Sequence, residues 1–137
     1  MVDEIDERIL DLLEEDARMT YVEIGKLVEL SEGAVRNRIQ SLISTGVIKK
    51  FTIEKSTSHG VRAVSMIAVD PTTPTYEVSK AVIELDGVER VYEVTGEYDI
   101  MLVSSSVNID GINRCIEDIR KIKGVEKTNT IIVLRTI

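Results

Sequence analysis

Between Ser31 and Ser44 the sequence "SEGAVRNRIQSLIS" sets Val35, Ile39, Leu42 and Ile43 on one side of a helical period. The opposite side carries Gly33, Asn37, Gln40, Ser41 and Ser44, with Arg36 and Arg38 on the two shoulders. These outward groups suit the major groove of a duplex. Asn and Gln amides bond bidentately to adenine edges, arginine bonds guanine or phosphate, and small residues permit close approach. Ser31 is a good N-cap, and Glu32 beside it favours the helix dipole but repels phosphate unless it faces a cytosine amino group. Gly33 also has a structural alternative, since a helix-interior glycine costs about 1 kcal/mol relative to alanine without needing a function. Thr20 and Ser31 cap their helices and could in addition touch phosphate, and Tyr21 joins the same DNA-binding set. Arg38 could instead pair with the acidic first helix. Lys49 and Lys50 suit the DNA backbone better than the bases.

A second stretch with chemistry is "VTGEYDI", residues 94–100. Gly96 allows a tight turn whose backbone N–H groups can hold a carboxylate, while the Asp99 carboxylate can hold an ammonium. Those are the charged ends of a free α-amino acid. Gly-x-x-Asp hairpins are common, however, and on residue types alone a purely structural role competes. Catalysis finds little support. The single histidine, His59, lies in a linker, Cys115 sits in an apolar stripe, and neither a nucleophile–base pair nor a phosphate-binding glycine loop is present. The reading is therefore no enzyme, no cofactor and no metal site.

The elements that must position these groups follow from periodicity. Ile5, Ile9, Leu12 and Leu13 predict a helix over 3–15. Thr20 followed by Glu23 is a capping-box signature for a second helix, whose inward stripe is Tyr21 or Val22, Ile24, Leu27 and Val28. A tight turn through Glu29 and Leu30 leads to the third helix, which Gly46 stops. The alternating "VIKKFTIE" predicts a strand at 47–54. Three helices with the last two closely joined make a helix-turn-helix, winged-helix-like because of that strand. Beyond it the chain repeats itself. Each copy runs apolar strand, polar loop, amphipathic helix, Gly-Val-Glu and strand, the two Gly-Val-Glu segments starting at Gly87 and Gly124. Strands are expected near 63–69, 88–95, 99–105 and 126–135, and helices near 74–85 and 109–122. This is the βαββαβ order of a ferredoxin-like fold. The chain thus reads as α+β, with a domain at 1–60 and another at 61–137.

Charge and composition set the limits. The net charge is -7, yet it is unevenly spread. Residues 1–32 hold eleven acidic and three basic side chains, a balance of -8, whereas residues 33–62 hold six basic and one acidic, or +5. Screening confines each charge to roughly 8 Å at physiological salt, so a basic band can act inside an acidic molecule. One cysteine rules out an internal disulfide and fits a reducing compartment. No stretch approaches a membrane span, and a soluble, cytoplasmic protein is expected. The sheet has helices on one face only, while Ile131, Ile132, Val133 and Leu134 put apolar residues on both faces of the last strand. Dimerisation through the open face is expected, which would also let two recognition helices read a palindromic operator in double-stranded DNA.

"IDERIL", "DAR" at 16–18, the "LS" before the third helix, "VRNRI" and "GVIKKFT" together resemble the N-terminal half of the Lrp/AsnC (leucine-responsive, feast/famine) regulators of bacteria and archaea. The second half resembles the same family's RAM or ACT-like effector domain. The resemblance covers essentially the whole chain and implies a transcriptional regulator responding to a free amino acid. It further implies dimers that assemble into octamers or similar rings. The family's effector loop has the Gly-x-Tyr-Asp arrangement, which points to Gly96, Tyr98 and Asp99, with Thr95 and Glu97 as neighbours. Thr128 and Thr130 on the last strand are further effector candidates. An amino-acid-sensing adaptor acting through protein contacts is the alternative, and the basic band at 33–62 argues against it.

Overall fold

The computed structural model describes residues 1–55 and 59–137, which form two compact units, Met1–Glu54 and Lys55–Ile137. In the first unit, α1 (Glu4–Glu15), α2 (Tyr21–Val28) and α3 (Glu32–Ser44) each begin at a side chain suited to the task. Asp3 and Asp6 form a reciprocal capping box, the Asp6 amide donating to Asp3 Oδ1 at 2.8 Å. Thr20 and Glu23 form another, and Ser31 Oγ accepts from the Ala34 amide at 3.2 Å. Ile9, Ile24, Val28, Val35 and Ile39 meet in one core, each fully buried side chain contributing roughly 1.5–3 kcal/mol.

The α2–α3 turn is unusually tight. Glu29 adopts φ 58°, a left-handed conformation for a residue with a Cβ, and the Leu30 amide donates to the Gly25 carbonyl at 2.9 Å. Gly25 is buried here, and a Cβ added to it would lie 2.5 Å from the Leu30 carbonyl oxygen. Gly46, at φ 76°, closes α3 as expected.

Three sequence expectations fail in this unit. Leu27 and Ile43, placed inward by periodicity, are 50% and 40% exposed. Each sits at the margin of its helix's apolar stripe, and a three-helix core this small does not reach it. The strand expected at 47–54 is absent, so the unit has no wing. A strand needs a ladder partner, and the rest of this unit is helical. Phe51 and Ile53 stay exposed.

The second unit contains β1 (Val61–Val69), α4 (Thr75–Ile83), β2 (Val88–Glu93), β3 (Ile100–Ser106), α5 (Ile109–Arg120) and β4 (Val125–Ile132). The strands pair antiparallel in the order β2-β3-β1-β4, which is the ferredoxin-like arrangement. The duplication is visible in three dimensions, since Gly87 (φ 84°) and Gly124 (φ 97°) lead into β2 and β4. Ile67, Val69, Ile100 and Leu102 pack beneath Val78 and Val82 of α4 and Cys115 and Ile119 of α5. Burial pushes the Cys115 thiol above its ordinary pKa. The β4 strand ends at Ile132, short of the expected 135, and Leu134 beyond it is fully exposed.

Alternation along β1 and β3 puts Val64, Met66, Met101 and Val103 on the face away from the helices, where they are only half-buried. Ile131, registered opposite Val64, continues that face and is exposed. Among the described residues nothing covers it.

Candidate functional sites

In the helical unit, α3 presents Glu32, Gly33, Arg36, Asn37, Gln40 and Ser41 as exposed groups along one side, opposite buried Val35, Ile39 and Leu42. Nothing approaches within 4 Å of the space a Gly33 Cβ would occupy, so that glycine meets no internal packing demand. Arg36 has two holders. Its Nη2 donates to Glu32 Oε1 at 2.7 Å, one helical turn back, and its guanidinium lies 5.4 Å from the centre of the Tyr21 ring. Thr20 and Ser31 are exposed at the N-termini of α2 and α3, their hydroxyls already accepting cap bonds. Lys49 and Lys50 are exposed beyond α3.

Arg38 is different. Its Nη1 donates to Asp3 Oδ2 at 2.7 Å and to Asp6 Oδ1 at 2.9 Å, fastening α3 to the capping box of α1. This is the structural alternative raised by the sequence. The hydrogen bond from Arg38, reinforced by the Asp6 amide, holds the Asp3 carboxyl below its ordinary pKa. A depressed folded pKa gives stability that is full above the unfolded value of about 3.9 and is lost as pH falls through the folded value. The helical unit should therefore lose thermal stability below about pH 4. Arg38→Met should flatten that acid limb, as thermal melts across pH 2–6 would show. Arg8, which the sequence reading did not single out, donates to the Leu27 carbonyl at 2.6 Å and ties α1 to the end of α2.

In the sheet unit, residues 94–99 make a tight turn between β2 and β3. Gly96 has φ 115° with open space around it. The turn is pinned by Asp99, whose Oδ2 accepts from the Val69 amide at 2.8 Å while its own amide donates to the Ile67 carbonyl at 2.9 Å. Asp99 Oδ1 and the N–H groups of Thr95 to Tyr98 have no hydrogen-bond partner among the described residues. The turn thus offers backbone donors beside one unengaged carboxylate oxygen. Lys127 of β4 also reaches it, 3.3 Å from Glu97 Oε1 and 5.2 Å from the centre of the Tyr98 ring. Sequence reading missed Lys127, because only the β1–β4 register, pairing Ala68 with Lys127, brings it there.

The structure does not bring all the turn candidates together. Thr128 and Thr130 register opposite Ile67 and Ser65, on the helix-covered face. The Thr130 hydroxyl is engaged with Ser65 Oγ at 2.8 Å. Lys127 alternates to the open face. Among the described residues no group of three His, Cys, Asp or Glu side chains could hold a metal ion, and no helix is long and apolar enough to cross a membrane.

Residues 2–43 match the AsnC-type helix-turn-helix domain, and residues 62–137 match the Lrp/AsnC ligand binding domain. The chain belongs to the Lrp/AsnC family. It is 49% identical over 134 residues to the HTH-type transcriptional regulator LysM of Sulfurisphaera tokodaii, covering 98% of this chain and 96% of that protein. The leucine response regulatory protein LrpA of Mycobacterium tuberculosis has a similar structure, with TM-score 0.81, 26% identity and coverage of 98% and 93% of the two chains. A transcriptional regulator of Neisseria meningitidis, solved as a complex with L-Met, shares the fold at TM-score 0.72 and 23% identity, covering 100% and 92%. This Lrp/AsnC chain is a DNA-binding transcriptional regulator that couples a helix-turn-helix to a ligand-binding domain.

Proposed function

We propose that the chain regulates transcription as a homodimer or a higher assembly of dimers, whose α3 helices occupy successive major grooves and whose 94–99 turn binds a free amino acid. The observation that carries the DNA reading is the exposed row Arg36, Asn37 and Gln40 on α3, set opposite a fully packed core face. Thr20, Ser31, Lys49 and Lys50 supply phosphate contacts. Arg38 braces α3 rather than touching DNA. Two such helices about 34 Å apart match two half-sites of a palindrome. The open apolar face of Val64, Met66, Met101, Val103 and Ile131 supports pairing through the sheet.

The amino-acid reading rests on the turn offering N–H donors for a carboxylate and the free Asp99 oxygen for an ammonium, side by side. The L-Met complex of the Neisseria relative agrees with it. Thr95, Gly96, Glu97, Tyr98 and Asp99 form this site, whereas Thr128 and Thr130 support the strand from its covered face. A location in the cytoplasm and an absence of catalytic activity belong to the same reading.

Binding to the selected operator should fall steeply with salt, because neutralised phosphates release counterions. Arg36→Ala combined with Asn37→Ala should abolish preference for the operator over random duplex while leaving the thermal midpoint unchanged. Gel-shift titrations at several salt concentrations test both. Operator binding by the double variant equal to that of the parent would refute the placement of α3 in the groove.

A further inference from the structure

We infer that Tyr21 and Glu32 are positioning residues that present Arg36 to a guanine in each half-site, so that they set sequence preference without reading a base themselves. The inference rests on the DNA-binding reading above and deepens it. Arg36 is half exposed, on the outer side of α3, yet its guanidinium is not free to sweep the surface. Glu32 Oε1 takes Nη2 at 2.7 Å, and the guanidinium also lies 5.4 Å from the centre of the Tyr21 ring. Tyr21 is itself fixed, since its ring is partly buried against the core shared by α1, α2 and α3. The Thr20 cap and its bond from the Glu23 amide fix the backbone there.

This arrangement has two physical consequences. Glu32 engages one terminal nitrogen and leaves the remaining guanidinium donors for the bidentate contact that guanine O6 and N7 accept. An arginine already ordered loses less side-chain entropy when it meets a base, which favours the contact that fits its fixed direction. The same carboxylate disfavours the competing use of Arg36. A phosphate drawn to the Arg36 guanidinium meets the Glu32 charge bonded to it, whereas a base edge carries none. The pair therefore weakens non-specific binding more than specific binding, and specificity is the difference between the two. No other exposed side chain of α3 has such a pair of holders: Asn37 and Gln40 have no side-chain partner among the described residues.

The test is enrichment from a random duplex library with the full chain and four variants, followed by titration of the winning duplex and of random DNA. The parent should select a motif with a guanine that Arg36→Ala loses, at one position per half-site. Glu32→Ala and Tyr21→Leu should cut the preference for that guanine about 10-fold while keeping the other positions of the motif, the size expected of roughly half a bidentate contact. Glu32→Ala should also raise affinity for random DNA several-fold. Tyr21→Phe, which keeps the ring, should retain the guanine. Glu32 is exposed, so its variant tests the idea even if Tyr21→Leu fails to fold. Full guanine preference in Glu32→Ala, or in Arg36→Ala, overturns the inference while leaving the regulator reading intact. A parent chain that selects no motif overturns both.

Discussion

Gly25→Ala should destabilise the helical unit by about 3 kcal/mol, at the upper end of the cost of an overpacked site. The added methyl would lie 2.5 Å from the Leu30 carbonyl oxygen, a backbone atom with no flexible end to move aside. The turn cannot easily relax, because the Leu30 amide is bonded to the Gly25 carbonyl and Glu29 already holds a left-handed conformation. In a unit this small, such a loss lowers the melting midpoint by more than about 10 °C. Calorimetry should show the helical transition displaced while the sheet transition, which contains no altered residue, stays in place. DNA binding should fail at temperatures where the ligand-binding unit remains folded. A shift under about 2 °C would mean that the α2–α3 turn yields more readily than its geometry implies.

The second large effect is expected at Asp99, and the choice of replacement matters. Asp99→Ala removes the acceptor of the Val69 amide, and an unpaired buried donor costs about 1–3 kcal/mol. Loss of ligand in that variant would be ambiguous. Asp99→Asn keeps an oxygen for Val69 and removes the charge. It should weaken amino-acid binding about 100-fold, as expected when the carboxylate partner of a hydrogen-bonded ammonium is lost. Dimerisation and thermal stability should be unchanged. Isothermal titration with each free amino acid identifies the effector, and the same titration on Asp99→Asn measures the loss. Undiminished affinity would remove the carboxylate from ammonium recognition and leave it only as the pin between the turn and β1.

How much of this was readable in the sequence depended on whether the cause was local. The starts of α1, α2 and α3 follow from cap residues acting on neighbours three positions away, and these were legible. The tandem β-α-β order was legible from two copies of one pattern, each ended by Gly-Val-Glu. Leu27 and Ile43 were misplaced because a 3.6-residue period gives the centre of an apolar face but not its width. The strand at 47–54 was misread for a related reason. Alternation states what a segment would bury if it had a partner, and no strand of the helical unit supplies one. Arg38 lay between two readings, and the bracing one, a 2.7 Å bond to Asp3 thirty-five positions away, became visible only in three dimensions. Lys127 was invisible, being thirty positions from Glu97 and joined to it by strand register alone. Thr128 and Thr130 lie on the strand where they were expected, but a strand assignment without its register leaves the facing open by one residue, and the register turns both toward the helix-covered side.

The lone thiol of the chain, 5% exposed on the inner face of α5, has a practical consequence. Buried against the sheet and with its pKa raised, Cys115 cannot react with an alkylating reagent until α5 lifts from the strands it covers. Its labelling rate in native buffer is thus a clock for excursions of the ligand-binding unit alone, and an effector that tightens that unit would slow the clock without any engineered probe.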